Sequence, residues 1–142
     1  DVCSSDLYII NSYNNSQIIS NNNVNSSGIL NGFNSSTTIY LSNIYNLGDI
    51  TSTNKASISI FNTSNTITLN NVYYPDTFTI GVTDMDSYTT PLSKSYMMSN
   101  RFVTDLNNNI EDINLSTISE TIKDYTLSSW KLGSDGYQVL DY

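Results

Sequence analysis

The stretch at residues 57–73, SISIFNTSNTITLNNVY, decides the fold prediction for this chain. Apolar and polar residues alternate on both sides of a polar turn, which indicates a strand, a turn and a second strand. Residues 58–73 align without a gap on residues 30–45, and more loosely on residues 10–25. The predicted copies therefore begin at Ile10, Leu30 and Ile58, and an internal repeat of this length is typical of solenoid proteins.

Seven positions of this repeat hold similar residue types in all three copies. A single unit cannot bury its apolar face, but stacked units bury a continuous core. We therefore expect equivalent side chains to form ladders, with isoleucine on isoleucine, aromatic on aromatic, and asparagine amides hydrogen-bonded along the stack. The equivalent positions are Ile10/Leu30/Ile58, Tyr13/Phe33/Phe61, Asn14/Asn34/Asn62, Ser16/Ser36/Ser64, Ile19/Ile39/Ile67, Asn23/Asn43/Asn71 and Val24/Ile44/Val72.

The strand of the third copy predicts which side chains face the core, because successive residues of a strand point to opposite faces. The predicted inward residues are Ile67 and Leu69, and the predicted outward residues are Thr66 and Thr68. Asn70 and Asn71 form a corner, since asparagine tolerates left-handed backbone angles. Val72 then returns to the core.

The repeat pattern over residues 8–83 resembles right-handed parallel β-helix proteins, the family that contains pectate-lyase-like enzymes and phage tailspikes. The resemblance implies a mainly β fold, with a short parallel β-helix (a solenoid) of about three to four coils followed by short helical segments. A β-sandwich built from the same short strands, with C-terminal helices, is the alternative. A third possibility is a low-complexity polar segment that aligns with itself by chance.

Four parts of the chain differ in character. Residues 1–7, DVCSSDL, look like a translated sequencing adapter, which makes Cys3, the only cysteine, an expected artefact. In that case Val2 and Cys3 make few contacts, Leu7 at most docks on the first strand, and the chain is a piece of a longer protein. The predicted parts are a non-native segment at 1–7, the repeat region at 8–83, a linker at 84–91, and a helical segment with a terminal strand at 92–142.

The last part carries two helical signals and a second resemblance. An a/d heptad spacing is formed by Val103, Leu106, Ile110 and Ile113. Thr117 with Glu120 forms a capping-box signature ahead of a second helix; two ordinary amphipathic helices are the alternative to a coiled coil. Residues 120–132, ETIKDYTLSSWKL, resemble short segments that follow helical stretches in phage tail-fibre proteins.

Charge and composition exclude several function classes. The chain has 13 acidic and 5 basic residues and no histidine, which argues against nucleic acid as a partner and excludes Ser-His-Asp hydrolysis and His-ligated zinc. The sequence contains no run of about 18 apolar residues, so we expect no membrane insertion. Between positions 10 and 73 the only acid is Asp49, too few for paired-carboxylate chemistry. We expect no cofactor and no catalysis within this part of the protein, while an active site elsewhere in the parent protein stays open.

Two sets of residues are candidates for binding. Asp84 and Asp86 form a D-x-D in a turn, a candidate divalent-cation site for which an exposed turn is the alternative. Aromatic rings beside amide and hydroxyl groups suit sugar binding, although core and ladder packing is the alternative use for them. The glycan-contact candidates are Tyr40, Tyr45, Asp49, Tyr73, Tyr74 and Trp130.

The repeat, the asparagine ladders, the heptad spacing and the tail-fibre-like segment together favour one function. We expect a structural or receptor-binding part of a virion tail appendage, of tailspike or tail-fibre type. It would contact host-surface polysaccharide as a homotrimer, outside the cell or on the virion surface. The alternatives are part of a secreted β-helical polysaccharide lyase or hydrolase, and part of a bacterial surface adhesin.

Overall fold

The computed structural model describes residues 6–20, 25–31, 38–52, 54–59, 66–77 and 89–142. The chain divides into two compact units, Asp1–Lys94 and Ser95–Tyr142. Strands dominate the described residues and the helices are short, so the prediction of a mainly β fold is confirmed. No helix in these ranges is long and apolar enough to cross a membrane. Val2, Cys3, Asp84 and Asp86 lie outside the described residues.

The described ladders of the first unit are all parallel. Its strands are β1 (Leu7–Asn14), β2 (Ile18–Ile19), β3 (Asn25–Asn31), β4 (Thr38–Asn46), β5 (Ile50–Thr51), β6 (Asn54–Ser59), β7 (Thr66–Pro75) and β8 (Thr90–Leu92). They form three sheets, in the orders β1-β4-β7-β8, β2-β5 and β3-β6. Parallel pairing does not match a β-sandwich, whose sheets are antiparallel. The three sheets are separate and open, so the finer prediction of a β-helix stays a prediction.

The registers show which residues are equivalent between strands. Leu7 pairs with Ile39, and Ile39 pairs with Ile67. The predicted alignment of the second copy on the third is confirmed, because Ile39 meets Ile67 and Leu30 meets Ile58. The predicted alignment of the first copy on the second is wrong, because Ile19 lies opposite Thr51 and is 62% exposed. Leu7 occupies the place predicted for Ile19, opposite Ile39.

The core of the first unit lies on one face of the β1-β4-β7 sheet. Its buried residues are Ile39, Leu41, Ile44 and Val72, with Leu7, Ile9, Ile29, Leu30, Ile67 and Leu69 packed against them. The predicted inward residues of the third copy are therefore confirmed, and Thr66 is exposed as predicted. Leu7, which was expected at most to dock on the first strand, is itself the first residue of β1 and packs against this core.

Each of the three long strands bends at an asparagine. Asn11, Asn43 and Asn71 have φ values of 51°, 54° and 53°, in the left-handed region that asparagine tolerates better than most residues. At the bend, two residues instead of the usual one separate successive inward positions, so that Leu41 and Ile44 both reach the core. The corner predicted for the third copy is confirmed at Asn71, and the same corner recurs in the other two strands.

The second unit packs short helices against a hairpin. Its elements are α1 (Lys94–Met97), which begins one residue before the unit, α2 (Asn100–Glu111), α3 (Leu115–Ile118), and the antiparallel strands β9 (Trp130–Leu132) and β10 (Gln138–Leu140). Ser99 caps α2 by accepting a hydrogen bond from the Phe102 amide at 3.3 Å. Phe102 and Leu106 are buried. Leu106, which was predicted to occupy a heptad position, therefore packs within the unit.

The C-terminal half of the unit differs from the sequence prediction. Helix α3 begins after Asn114, whose side-chain oxygen accepts from the Ser116 amide at 3.2 Å. Thr117 lies inside this helix, which ends before Glu120. The predicted capping box is therefore wrong, because Asn114 already supplies the cap three residues earlier. Asn107 of α2 forms two bonds to the Trp130 backbone, accepting from its amide at 2.7 Å and donating to its carbonyl at 3.0 Å.

A polar and aromatic face as the candidate functional site

The candidate site is the face of the β1-β4-β7 sheet that points away from the core. Its residues alternate with the core positions of the same strands, and alternation places them on the opposite face. We call this surface the outer face; it consists of Tyr8, Tyr40 and Thr68 in one row, Ile10, Ser42 and Asn70 in the next, and Thr38 with Thr66. Its polar groups are phenols, hydroxyls and an amide.

The outer face carries a tyrosine on each of two neighbouring strands, at paired positions. Tyr8 and Tyr40 are register partners on neighbouring parallel strands, which lie about 4.8 Å apart. Both side chains are half-buried, while Thr66 and Asn70 beside them are exposed. The Tyr8 hydroxyl donates to the Asp6 carboxylate at 3.1 Å. The face therefore combines half-buried aromatic rings with exposed hydroxyl and amide groups at Thr38, Thr66 and Asn70, whereas the Ser42 hydroxyl is buried.

Asparagine ladders hold the strands beneath this face in register. The buried Asn43 side chain donates from Nδ2 to Asn11 Oδ1 at 2.9 Å. Asn14 Nδ2 donates to Asn46 Oδ1 at 2.7 Å. Asparagine ladders are confirmed, but Asn14 pairs with Asn46 and not with the predicted Asn34, which lies outside the described residues. Amide-to-amide bonds between strands fix their relative position because a shift of one residue breaks them.

Two glycines, Gly48 in the turn after β4 and Gly28 within β3, lie where neighbouring chain leaves no room for a side chain. A Cβ atom on Gly48 would lie 2.0 Å from the Ser16 carbonyl oxygen. A Cβ atom on Gly28 would lie 2.3 Å from Asn46 Cγ. Asn46 is itself buried and donates from Nδ2 to the Gly48 carbonyl at 3.2 Å. Glycine is therefore needed at position 48, where the clash is with backbone, while a side chain at position 28 would require the buried Asn46 side chain to move.

A tyrosine stack lies just beyond the asparagine bends. Tyr13 and Tyr45 stack with ring centroids 5.5 Å apart and an interplanar angle of 14°, and Tyr45 pairs in register with Tyr73. The predicted aromatic ladder is confirmed, with different members. The predicted partners of Tyr13 were Phe33 and Phe61, which lie outside the described residues.

The glycan-contact candidates divide by burial. Tyr45, Tyr74 and Trp130 are buried, and a buried ring offers no face on which a sugar can stack, so these three leave the candidate set. Tyr40 lies on the outer face, and Tyr73 is half-buried at the edge of the tyrosine stack.

Asp49 is exposed and its Oδ1 atom lies 3.8 Å from Lys94 Nζ; it is not one of the outer-face residues.

Tyr8 was missed by the sequence analysis. Its signal was the pairing with Tyr40, which appears only when β1 is aligned on β4 in the register that the structure has. Among the residues that the structure describes, no three acidic, cysteine or histidine side chains gather closely enough to hold a metal ion.

Comparisons of this chain with protein-family models, with curated proteins and with solved structures found no match. No relative therefore assigns a family or a function to the chain.

Proposed function

We propose that this chain is a structural and receptor-binding part of a virion tail appendage, of tailspike or tail-fibre type, whose outer face contacts host-surface glycans. In this proposal the parallel strands are successive coils of a β-helix. The observation that carries it is the outer face itself, where two tyrosines and a set of hydroxyl and amide groups stand in register on a parallel sheet.

The β-helix part of the proposal is supported by the sequence separation of paired residues, which agrees between separate sheets. Ile18 and Ile50, which pair in one sheet, are as far apart in sequence as Leu7 and Ile39, which pair in another. After a one-residue register shift within the β3–β6 ladder, Leu30 and Ile58 are likewise as far apart as Ile39 and Ile67 of β4 and β7. Equal offsets in different sheets are the expected result when one winding chain contributes a strand to each sheet in every coil.

The glycan part of the proposal is supported by the chemistry of the outer face. Aromatic rings pack against the apolar faces of sugars, and hydroxyl and amide groups both donate to and accept from sugar hydroxyls. The strands that carry these groups are fixed by asparagine ladders and a tight core. A rigid scaffold lowers the entropy that ordering the site would otherwise cost on binding.

Binding of the purified chain to an array of bacterial surface oligosaccharides tests this proposal. Tyr40→Ala is expected to weaken binding by about tenfold or more, because an aromatic contact at the centre of a small site contributes strongly. Tyr125→Ala is the matched control, since Tyr125 is a 71% exposed tyrosine in the second unit. Thermal unfolding of both variants checks that the fold persists. Failure of the chain to bind any glycan, or equal loss in both variants, contradicts the proposal.

We further propose that the protein acts as a homotrimer outside the cell or on the virion surface. The proposal extends the tail-appendage assignment, and sedimentation equilibrium of the purified chain tests the trimer. A monomer at all concentrations examined would contradict trimerisation by this part of the protein without affecting the glycan site.

A further inference from the structure

We infer that the outer face is selective for uncharged saccharides and discriminates against anionic ones that carry uronic acid, sialic acid, sulfate or phosphate groups. This inference rests on the proposed function and names the ligand class of the same site.

The strands of the outer face carry no charge. Strands β1, β4 and β7 contain no lysine, arginine, aspartate or glutamate. Among the described residues, the Asp6 carboxylate accepts a hydrogen bond from the Tyr8 hydroxyl at one end of the face. A saccharide lying along the Tyr8–Tyr40 row thus meets phenols and the Thr68 hydroxyl, with a negative charge at the Tyr8 end.

The basic side chains whose contacts the structure describes belong to other elements than β1, β4 and β7. Three lysines pair with acids: Lys94 with Asp49 at 3.8 Å, Lys123 with Glu120 at 2.7 Å, and Lys131 with Asp141 at 2.6 Å. The Arg101 guanidinium lies 5.7 Å from the ring centre of Tyr96. Exposed ion pairs of this kind are weak; what matters is that none of these four cations is carried by a strand of the outer face.

The energetic consequence differs for the two ligand classes. A sugar hydroxyl that leaves water regains hydrogen bonds from the exposed threonine and asparagine side chains. A carboxylate or phosphate placed there loses part of its hydration without gaining a cation, which is costly. The net charge of −8 adds long-range repulsion of polyanions. Desolvation and repulsion both favour the uncharged ligand.

The test uses an array of matched oligosaccharide pairs that differ only in one carboxylate or phosphate group. We expect the wild-type chain to bind the neutral member at least about tenfold more tightly. Neutral binding should change little between about 0.1 M and 1 M NaCl, although the Debye length falls from about 10 Å to about 3 Å. Equal or tighter binding of the anionic members overturns the inference and leaves the proposed function standing. Absence of binding to both members overturns the proposed function and the inference together.

A charge-gain variant keeps the test specific to the outer face. Thr66→Lys places a cation on an exposed outer-face position, and Thr51→Lys makes the same change in net charge on β5, in a different sheet. We expect Thr66→Lys, but not Thr51→Lys, to reduce the ratio of neutral to anionic affinity several-fold. Thr66→Lys should also make anionic binding salt-dependent. An equal effect of the two substitutions would show that net charge, and not the outer face, sets the selectivity, and would overturn the inference.

Discussion

Replacing Asn43 by alanine tests whether buried asparagines hold the parallel strands together. Asn43 is fully buried, has a left-handed φ of 54°, and donates to Asn11 at 2.9 Å. Alanine at a left-handed position costs about 1–2 kcal/mol, and loss of a buried hydrogen-bond partner costs about 1–3 kcal/mol. Asn43→Ala should therefore lower the free energy of unfolding by about 2–5 kcal/mol.

Asn71 supplies the matched control, because it has the same backbone conformation but an exposed side chain. Asn71→Ala should cost only the backbone strain, about 1–2 kcal/mol, and Asn71→Gly should be nearly neutral because glycine adopts this angle freely. Urea unfolding followed by circular dichroism measures the midpoints and slopes. If Asn43→Ala proved no more destabilising than Asn71→Ala, the buried ladder would contribute nothing and the reasoning would be refuted.

Two further substitutions test close packing in each unit. Gly48→Ala should destabilise the chain by about 3 kcal/mol, because its Cβ would lie 2.0 Å from the Ser16 carbonyl oxygen; a thermal midpoint equal to that of the wild type would show that the turn at Gly48 does not approach Ser16. Asn107→Ala should cost about 1–3 kcal/mol through loss of both bonds to the Trp130 backbone. The exposed neighbour Asn108 is the control, and its replacement by alanine should change the unfolding free energy by less than about 0.5 kcal/mol.

The inward and outward assignment of the third copy followed from sequence because its strand alternates strongly. Ile67 and Ile39 are register partners as the gapless alignment predicted. The first copy was misaligned because matches among asparagine and serine carry little information in a chain where Asn, Ser and Thr make up 60 of 142 residues. A better signal was present: residues 11–13, 43–45 and 71–73 all read Asn-x-Tyr, and these are the bend positions.

The candidate site was predicted only in part, for a related reason. The asparagine bend changes the phase of alternation along each strand, so the outward or inward direction of a tyrosine after the bend cannot be counted from the residues before it. Tyr40 precedes the bend and lies on the outer face, whereas Tyr45 follows it and is buried. Tyr8 had no predicted partner, because the alignment of the first copy began at Ile10. Trp130 is buried through packing in the second unit, which its local sequence does not indicate.

The most direct test of the parallel register is disulfide formation between engineered cysteines, in a background where Cys3 is replaced by serine. Thr38→Cys combined with Thr66→Cys places two thiols on register partners of adjacent strands, at a Cα separation of about 5 Å that a disulfide can span. Thr38→Cys combined with Thr68→Cys is out of register by two residues. Mild oxidation is expected to close an intramolecular disulfide in the first pair and to leave the second pair reduced. Mass spectrometry after thiol alkylation measures the oxidation state of both pairs. Equal oxidation of the two pairs, or oxidation of the second alone, would contradict the register on which the fold and the outer face depend.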